Sequence, residues 1–145
     1  RTSTGIAGSN STFADTDFPL FRFADVYLMY AECAVRGASN ASMAQATTYI
    51  NLLRQRANNG ATTANISQSN LTLDFILDER SRELHWEGHR RQDLIRFNKY
   101  TGGSYNWAWK GNGINGIALP QHMKIFPIHP ATLSSNPNLT QNPGY

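Results

Sequence analysis

The sequence predicts a mainly α-helical fold, built from helical hairpins and followed by a long irregular C-terminal arm. Three observations support this fold class. Apolar residues recur at helical spacing in several segments between residues 21 and 97. Gly, Asn and Pro dominate from residue 101 onward, where no helical period is found. Strand patterns are weak throughout, the best of them being residues 123–126.

Length and composition bound the class of protein. The chain has 145 residues, of which 40% are hydrophobic and 11% aromatic, which suffices for one folded domain with a modest core. No run approaches the roughly 18 apolar residues that a membrane-spanning helix needs. The net charge is +3, but acids and bases are interleaved, which argues against nucleic-acid binding. The single Cys33 excludes a disulfide framework, and its helical context indicates a packing role.

The first 20 residues are rich in Ser, Thr, Gly and Asp and predict an irregular lead-in to a helical domain over residues 21–145. The first helix is expected over residues 21–36. It carries one stripe of Ala, Tyr, Leu and Val side chains at 3.6-residue spacing. Asp25 and Glu32 fall on the other side of this helix.

A second helix is predicted after a link of about five residues. Ser39, Asn40 or Ser42 can cap it, and the turn at residues 58–60 ends it. Two helices joined by so short a link pack as an antiparallel hairpin, and alanines on both contacting faces permit close approach of the backbones. Hairpins of this size suggest a tetratricopeptide-like array, although the chain contains no convincing internal repeat.

A third helix is predicted to start near Thr72 and to run to about Glu87. Asp74 lies in its first turn, where an acidic side chain is favourable for the helix dipole. Gly88 marks a break, and residues 89–97 can form a further short helix. The irregular arm begins beyond this point.

Charged residues are concentrated over residues 76–97, which hold five acids and five arginines. On a helical wheel, Arg80 falls in the middle of the apolar stripe, with Glu83 and Glu87 near it. Because a lone buried charge is too costly to persist, these groups should be paired. Arg80 and Glu83 stand at i, i+3, which lets their side chains meet. The repulsion between the two glutamates can be relieved by an arginine between them or by one from another segment, such as those after Gly88. The predicted structural ion-pair network comprises Arg80, Glu83, Glu87, Arg90 and Arg91.

Three chemical alternatives are weaker. Paired carboxylates can run acid–base catalysis, but each acid here has an arginine in reach, which holds it ionised. His85 and His89 have the spacing of a zinc site, but "HWEGH" departs from H-E-x-x-H. "GNGING" at residues 111–116 matches G-x-G-x-x-G, but it lacks the strand and helix of a dinucleotide site and indicates a flexible surface loop. The sequence predicts no catalytic residue, metal or cofactor.

Tyr105, Trp107 and Trp109 alternate in the segment "SYNWAWKGN". In an extended segment, alternate residues share a face, so that the three rings would line one surface. Flat aromatic surfaces with nearby amides and a lysine suit sugar rings, whose C–H faces are apolar. The alternative, which we favour, is that the rings fold back over the helical core. The three residues are retained as the candidate carbohydrate-binding site.

Four segments of the chain are distinctive. They read "FPLFRFADVYLMYAECAVRG" at 18–37, "YINLLRQRAN" at 49–58, "ILDERSRELHWEGHRRQDLIRF" at 76–97 and "IFPIHPATLSSNPNLTQNPGY" at 125–145. In this order they resemble the C-terminal part of the SusD/RagB family of outer-membrane lipoproteins from Bacteroidetes. The resemblance covers nearly the whole chain from residue 18, and the combination of the charged third segment with the Asn-Pro-rich close is highly specific.

The resemblance implies a binding protein rather than an enzyme, with a tetratricopeptide-like scaffold. Such a protein sits on the cell-surface side of the outer membrane, anchored by a lipidated N-terminal cysteine that this chain lacks. It captures oligosaccharide or polysaccharide and presents it to a SusC-like TonB-dependent transporter. The alternative is a helical-repeat module that binds peptide or protein, as in RagB-like peptide uptake. The chain is then expected to be a fragment of a longer protein.

Overall fold

A computed structural model describes residues 8–10, 12, 15 and 19–145, and this part of the chain is mainly helical, as the sequence predicts. Its α-helices are α1 (Phe23–Val35), α2 (Met43–Ala57), α3 (Leu73–Glu83), α4 (Arg90–Arg96) and α5 (Pro130–Ser135). Short 3-10 turns lie at Gln68–Asn70, Lys110–Asn112 and Gln121–Lys124. The described residues form no β-strand, only one isolated bridge. The predicted lead-in over residues 1–20 lies largely outside the described residues.

The helices α1 and α2 form the predicted hairpin. Ser42 is the N-cap of α2, and its hydroxyl accepts a hydrogen bond from the backbone N–H of Gln45. The hydroxyl of Tyr30 on α1 accepts another from the backbone N–H of Ser42 at 3.0 Å, which fixes the link between the helices. Ala31 and Ala46 are both fully buried in the core. Both helices of the hairpin thus carry small side chains on their buried sides, as expected from the sequence.

The core is formed where α1 packs against both α2 and α3. Because neighbouring helices cover two sides of α1, Asp25 and Glu32 are buried rather than exposed opposite the apolar stripe. Cys33, expected to pack inside, is instead exposed. No described helix is long and apolar enough to cross a membrane. The fully or nearly fully buried apolar side chains include Leu28, Ile50, Leu53, Ile76, Leu77, Leu84 and Leu94.

The helix α3 starts next to Thr72, as predicted, and Thr72 caps it, since its side chain accepts a hydrogen bond from the N–H of Phe75. The helix ends at Glu83, however, before the predicted end at Glu87. Trp86 then adopts a left-handed backbone with φ of 66°, and Gly88 follows with φ of 78°. A side chain as large as tryptophan rarely takes this conformation, so the sequence pattern indicated the break at Gly88 but not the earlier end of the helix.

The C-terminal arm is irregular, as predicted, apart from α5 and two 3-10 turns. The best strand candidate, residues 123–126, was wrong, because a 3-10 turn occupies Gln121–Lys124. The arm closes on itself through side chains. The hydroxyl of Tyr145 donates a hydrogen bond to the carbonyl of Ile125 at 2.7 Å. The order of the arm therefore depends on its polar residues rather than on a strand ladder.

Candidate functional site

Arg80 is buried, as its position on the helical wheel predicts, but its partners differ from the expected Glu83. The Arg80 side chain is 3% exposed, with Nη1 2.7 Å from Oδ1 of Asp25 and Nε 2.9 Å from Oδ2 of Asp93. These contacts are close ion pairs rather than well-aligned hydrogen bonds. Arg96 adds a second cation, with Nη2 2.9 Å from Asp93 Oδ1. The guanidinium of α3 therefore joins acids from α1 and α4 inside the core.

Glu83 and Glu87 share an arginine that the sequence analysis did not single out. Arg22 donates from Nη1 to Glu83 at 2.9 Å, and from Nε and Nη2 to the two carboxylate oxygens of Glu87, each at 2.8 Å. Arg56 lies 2.6 Å from the other oxygen of Glu83. The hydrogen bond to Glu87 is the main cause that raises the pKa of Arg22. The repulsion expected between the two glutamates is thus relieved by Arg22, at the start of α1, and by Arg56 on α2.

Contrary to the prediction, Arg90 and Arg91 do not pair with Glu83 or Glu87. Arg90 donates to the carbonyl of Leu77 and to the hydroxyl of Tyr105, both at 2.8 Å. Arg91 donates to the carbonyls of Met123 and Lys124 at 3.1 and 3.0 Å. Its guanidinium also lies 4.0 Å from the ring centroid of Phe126. Both arginines lie at the start of α4, beside the C-terminal arm, and their side chains attach the arm to the helices.

Glu32 is the centre of a further cluster on the other end of α1. It accepts hydrogen bonds from Nε of Arg36 at 2.9 Å and from Nε and Nη2 of Arg96 at 3.0 and 2.8 Å. Burial by itself raises the pKa of Glu32, but the hydrogen bonds from Arg96 and Arg36 outweigh burial and hold that pKa below its ordinary value. The hydrogen bonds that Arg96 donates to Glu32 in turn raise the pKa of Arg96. The Glu32 charge is therefore stabilised by folding.

We expect the substitution Glu32→Gln to destabilise the protein in a pH-dependent way. Because folding lowers the Glu32 pKa, the stabilisation is fully present above the ordinary value of 4.5 and is lost as the pH falls through the lowered folded-state value. Urea unfolding of the intact protein, at neutral pH and in steps below pH 4.5, should show the difference between variant and unchanged protein shrinking with acid. Asp74→Asn is the control, because Asp74 is 76% exposed. A difference that stays constant in acid would contradict this assignment.

These contacts decide what the charged residues can do chemically. Glu83 and Glu87 each accept hydrogen bonds from guanidinium groups, so their lone pairs already have partners. His85 and His89 lie in the loop after α3, not on one helical face, so the i, i+4 argument for a zinc pair does not apply. No cluster of three or more His, Cys, Asp or Glu side chains that could hold a metal occurs among the described residues. The charged groups serve packing and attachment.

The three aromatic residues of the candidate carbohydrate site lie on one loop, residues 102–119, which we call the aromatic loop. An isolated antiparallel bridge between Gly102 and Leu119 joins its ends. The loop is not extended, because Trp109 has a left-handed backbone with φ of 69° and a 3-10 turn follows at Lys110–Asn112. The alternation that would place all three rings on one face therefore does not hold.

The three rings have different surroundings. Tyr105 packs against the edge of the core, and its hydroxyl donates to Oδ1 of Asp78 at 3.3 Å while it accepts from Arg90. Trp107 lies beside it, with ring centroids 6.0 Å apart, and is 39% exposed. Trp109 is 65% exposed. Tyr105 thus covers the core, as the favoured alternative had it, whereas both indoles remain accessible.

The Lys110 side chain is buried inside the aromatic loop and holds its backbone by hydrogen bonds. It is 2% exposed, and its Nζ donates to the carbonyls of Gly102 and Tyr105 at 3.1 and 2.6 Å and to Oδ1 of Asn106 at 3.1 Å. The same Nζ lies 5.0 Å from the ring centroid of Trp107. Burial lowers the pKa of Lys110. An ammonium has three N–H donors, and all three have acceptors here.

Comparison with known proteins gives one consistent family. The SusD family profile matches residues 3–145. The starch-binding protein SusD of Bacteroides thetaiotaomicron is 38% identical over 143 residues, which are 99% of this chain and 24% of that protein. A SusD-like protein of Formosa agariphila is 36% identical over 142 residues, covering 90% of this chain and 25% of the relative. The chain therefore spans about a quarter of the length of these relatives.

The three-dimensional comparison agrees with the sequence comparison. The crystal structure of a SusD superfamily protein from Bacteroides vulgatus superposes with a TM-score of 0.66 at 28% identity. The match covers 95% of this chain and 30% of that one. Sequence profile, curated relatives and fold thus coincide over nearly all of the chain, and the chain belongs to the SusD family.

Proposed function

We propose that the protein is a cell-surface glycan-binding protein of the outer membrane, which captures oligosaccharide or polysaccharide and passes it to a SusC-like TonB-dependent transporter. The observation that carries this proposal is the membership of the chain in the SusD family, with 38% identity to a starch-binding protein over 99% of its length. An N-terminal lipid outside the present sequence would hold the protein at the membrane.

The contacts of the charged residues favour binding over catalysis. Glu83, Glu87 and Asp93 are each paired with an arginine. Two exposed indoles, Trp107 and Trp109, lie on a loop fixed from inside by Lys110. Rigid aromatic surfaces bind with little loss of conformational entropy. The proposed capture is therefore non-covalent, with sugar rings stacking on these indoles.

Trp109→Ala and Trp107→Ala are each expected to weaken glycan binding about tenfold. Covering roughly 60 Å² of an indole at ~25 cal/mol per Å² contributes about 1.5 kcal/mol, which is about one decade in Kd. Isothermal calorimetry of the intact protein against a panel of oligosaccharides measures the loss. Trp86→Ala is the matched control, because it removes an 88%-exposed indole from outside the aromatic loop. Strong binding that survives both loop substitutions would reject this site and leave the family-level function standing.

The peptide-binding alternative is separated by the same panel extended with peptides. Binding of peptides without any binding of glycans would overturn the proposed ligand class.

Product analysis after prolonged incubation with glycan tests for hydrolysis, which we expect to be absent. Transfer is tested by isolating the protein from detergent-solubilised outer membrane. Recovery of a TonB-dependent transporter with it is expected, and recovery of the protein alone would contradict the hand-off.

A further inference from the structure

Charge is distributed unevenly along the chain, and the aromatic loop lies in its acid-free part. All ten acidic residues lie at or before Asp93, whereas residues 97–145 carry three lysines, two histidines and no acid. A surface of one sign attracts ligands of the opposite sign and repels those of its own. The charge of a glycan that contacts the aromatic loop therefore affects how tightly it binds.

Three cationic side chains lie beside the two neighbouring rings of the aromatic loop, Tyr105 and Trp107. The guanidinium carbon of Arg90 and Nζ of Lys99 lie 5.8 and 6.0 Å from the ring centroid of Tyr105. Nζ of Lys110 lies 5.0 Å from the ring centroid of Trp107. The ring pair is therefore surrounded by positive charge from α4, from the segment after it and from the loop itself.

Two carboxylates neutralise only part of this charge. Oδ1 of Asp78 accepts a hydrogen bond from the Tyr105 hydroxyl at 3.3 Å, and Oδ1 of Asp74 lies 3.1 Å from Nζ of Lys99. The acceptors of Lys110 are carbonyl and amide oxygens, so no carboxylate of the described residues neutralises it. One positive charge therefore remains at the ring pair, and its field acts on a ligand there, because charges are screened less at a protein surface than in bulk water.

Lys99 also lines a groove of about 600 Å³, which we call the cationic groove. Arg36 and Arg96 line it too, with side chains 41% and 42% exposed. Asp74 is the one carboxylate among the lining residues. Glu32 pairs with both arginines, but its side chain is 8% exposed and does not line the groove. The groove thus presents three cationic side chains and one acid to a ligand.

We propose that the aromatic loop and the cationic groove select an anionic glycan, whose ring faces stack on the indoles while its carboxylate or sulfate groups lie at Lys99. This inference rests on the proposed capture of glycan by the aromatic loop. Lys99 belongs to both surfaces, and Asp74 is its one ion-pair partner among the described residues. Because an ammonium has three N–H donors, others remain for a ligand. Hydrogen bonds between ionised partners are roughly twice as strong as those between neutral ones.

The first test adds matched pairs of glycans to the calorimetric panel. One pair is an oligogalacturonate and its methyl ester, and the other is a sulfated galactan oligosaccharide and its desulfated product. In about 0.01 M salt we expect the tightest ligand of the intact protein to be anionic and to bind at least about fivefold more tightly than its neutralised form. In about 1 M salt, where the Debye length is about 3 Å, the two forms should bind alike.

The two pairs show whether carboxylate or sulfate is preferred. A neutral glycan as the tightest ligand would overturn the anionic class and leave the proposed capture of glycan standing. A preference for the anionic form that persists unchanged in high salt would also contradict selection by charge. Absence of binding by every glycan of the panel would overturn both this inference and the proposed function.

Variants locate the selection at Lys99. The readout is the selectivity, the ratio of the two Kd values within a pair. Lys99→Gln should lower it about threefold to fivefold, because the amide keeps its polarity but has no charge. Asp74→Asn should raise it about twofold, because the competing carboxylate is removed.

Arg82→Gln is the matched control, because it removes the same charge from a side chain that is 56% exposed, pairs with Glu79 and lies outside the cationic groove. The selectivity should not change in this variant. Equal selectivity in Lys99→Gln and in the unchanged protein, or equal losses in Lys99→Gln and Arg82→Gln, would reject Lys99 as the selecting residue.

Discussion

Replacing Arg80 by methionine is expected to destabilise the intact protein by at least about 3 kcal/mol, because it leaves two buried carboxylates without the cation between them. Asp25 and Asp93 are 7% and 1% exposed, and both lie within 2.9 Å of the guanidinium. Asp93 keeps Arg96, but Asp25 loses its ion-pair partner. Breaking one side of a buried ion pair costs more than deleting the whole pair, since the remaining charge stays desolvated.

The measurement is urea unfolding at neutral pH, with Arg82→Met as the matched control. Arg82 stands two positions further along α3 and its side chain is 56% exposed. Its partner Glu79 keeps Arg54 at 2.8 Å, so the control should cost less than about 1 kcal/mol. Adding Asp25→Asn to the Arg80 variant should recover part of the loss, because the amide is uncharged. Equal effects of the two arginine substitutions would reject a central role for Arg80.

The wheel placed Arg80 in the core correctly, yet it could not identify the partners. Helical spacing relates only residues on one helix, and it therefore suggested Glu83 at i, i+3. The actual acids come from α1 and α4, and Arg22 reaches Glu83 across 61 positions of sequence. Because α3 ends at Glu83, Glu87 does not lie on this helix, where the sequence analysis had placed it. Burial follows from local periodicity, whereas pairing depends on how distant helices pack.

The aromatic loop shows a second limit of the sequence pattern. Alternation of Tyr105, Trp107 and Trp109 predicts a common face only if the backbone is extended. A left-handed tryptophan is uncommon, and no propensity indicates it at Trp109. Lysine is among the residues that are almost never fully buried, and nothing in the sequence pattern indicated that Lys110 would be. The loop's conformation depends on three hydrogen bonds from one side chain, which no periodic pattern encodes.

Lys110→Met is therefore the second substitution with a large expected effect, a destabilisation of about 2–3 kcal/mol. Methionine is similar in length but leaves the carbonyls of Gly102 and Tyr105 and the side chain of Asn106 without these donors. Hydrogen bonds from a charged donor contribute roughly 1.5–3 kcal/mol each, and desolvation of the ammonium offsets part of their sum. The loss should be local, because Lys110 contacts only the aromatic loop through these bonds.

Hydrogen exchange separates a local loosening from a general one. In Lys110→Met, backbone amides of the aromatic loop should exchange faster, whereas those in the middle of α2 should show a smaller change. Trp107, whose ring lies beside Nζ, should then lose its fixed position, and glycan binding should fall by about the tenfold expected for deleting that indole. Lys124→Met is the matched control, because Lys124 makes one exposed hydrogen bond, to Asn98. Uniformly faster exchange in loop and helix would mean that Lys110 stabilises the whole fold. Unchanged exchange in the loop would mean that the ammonium does not hold it.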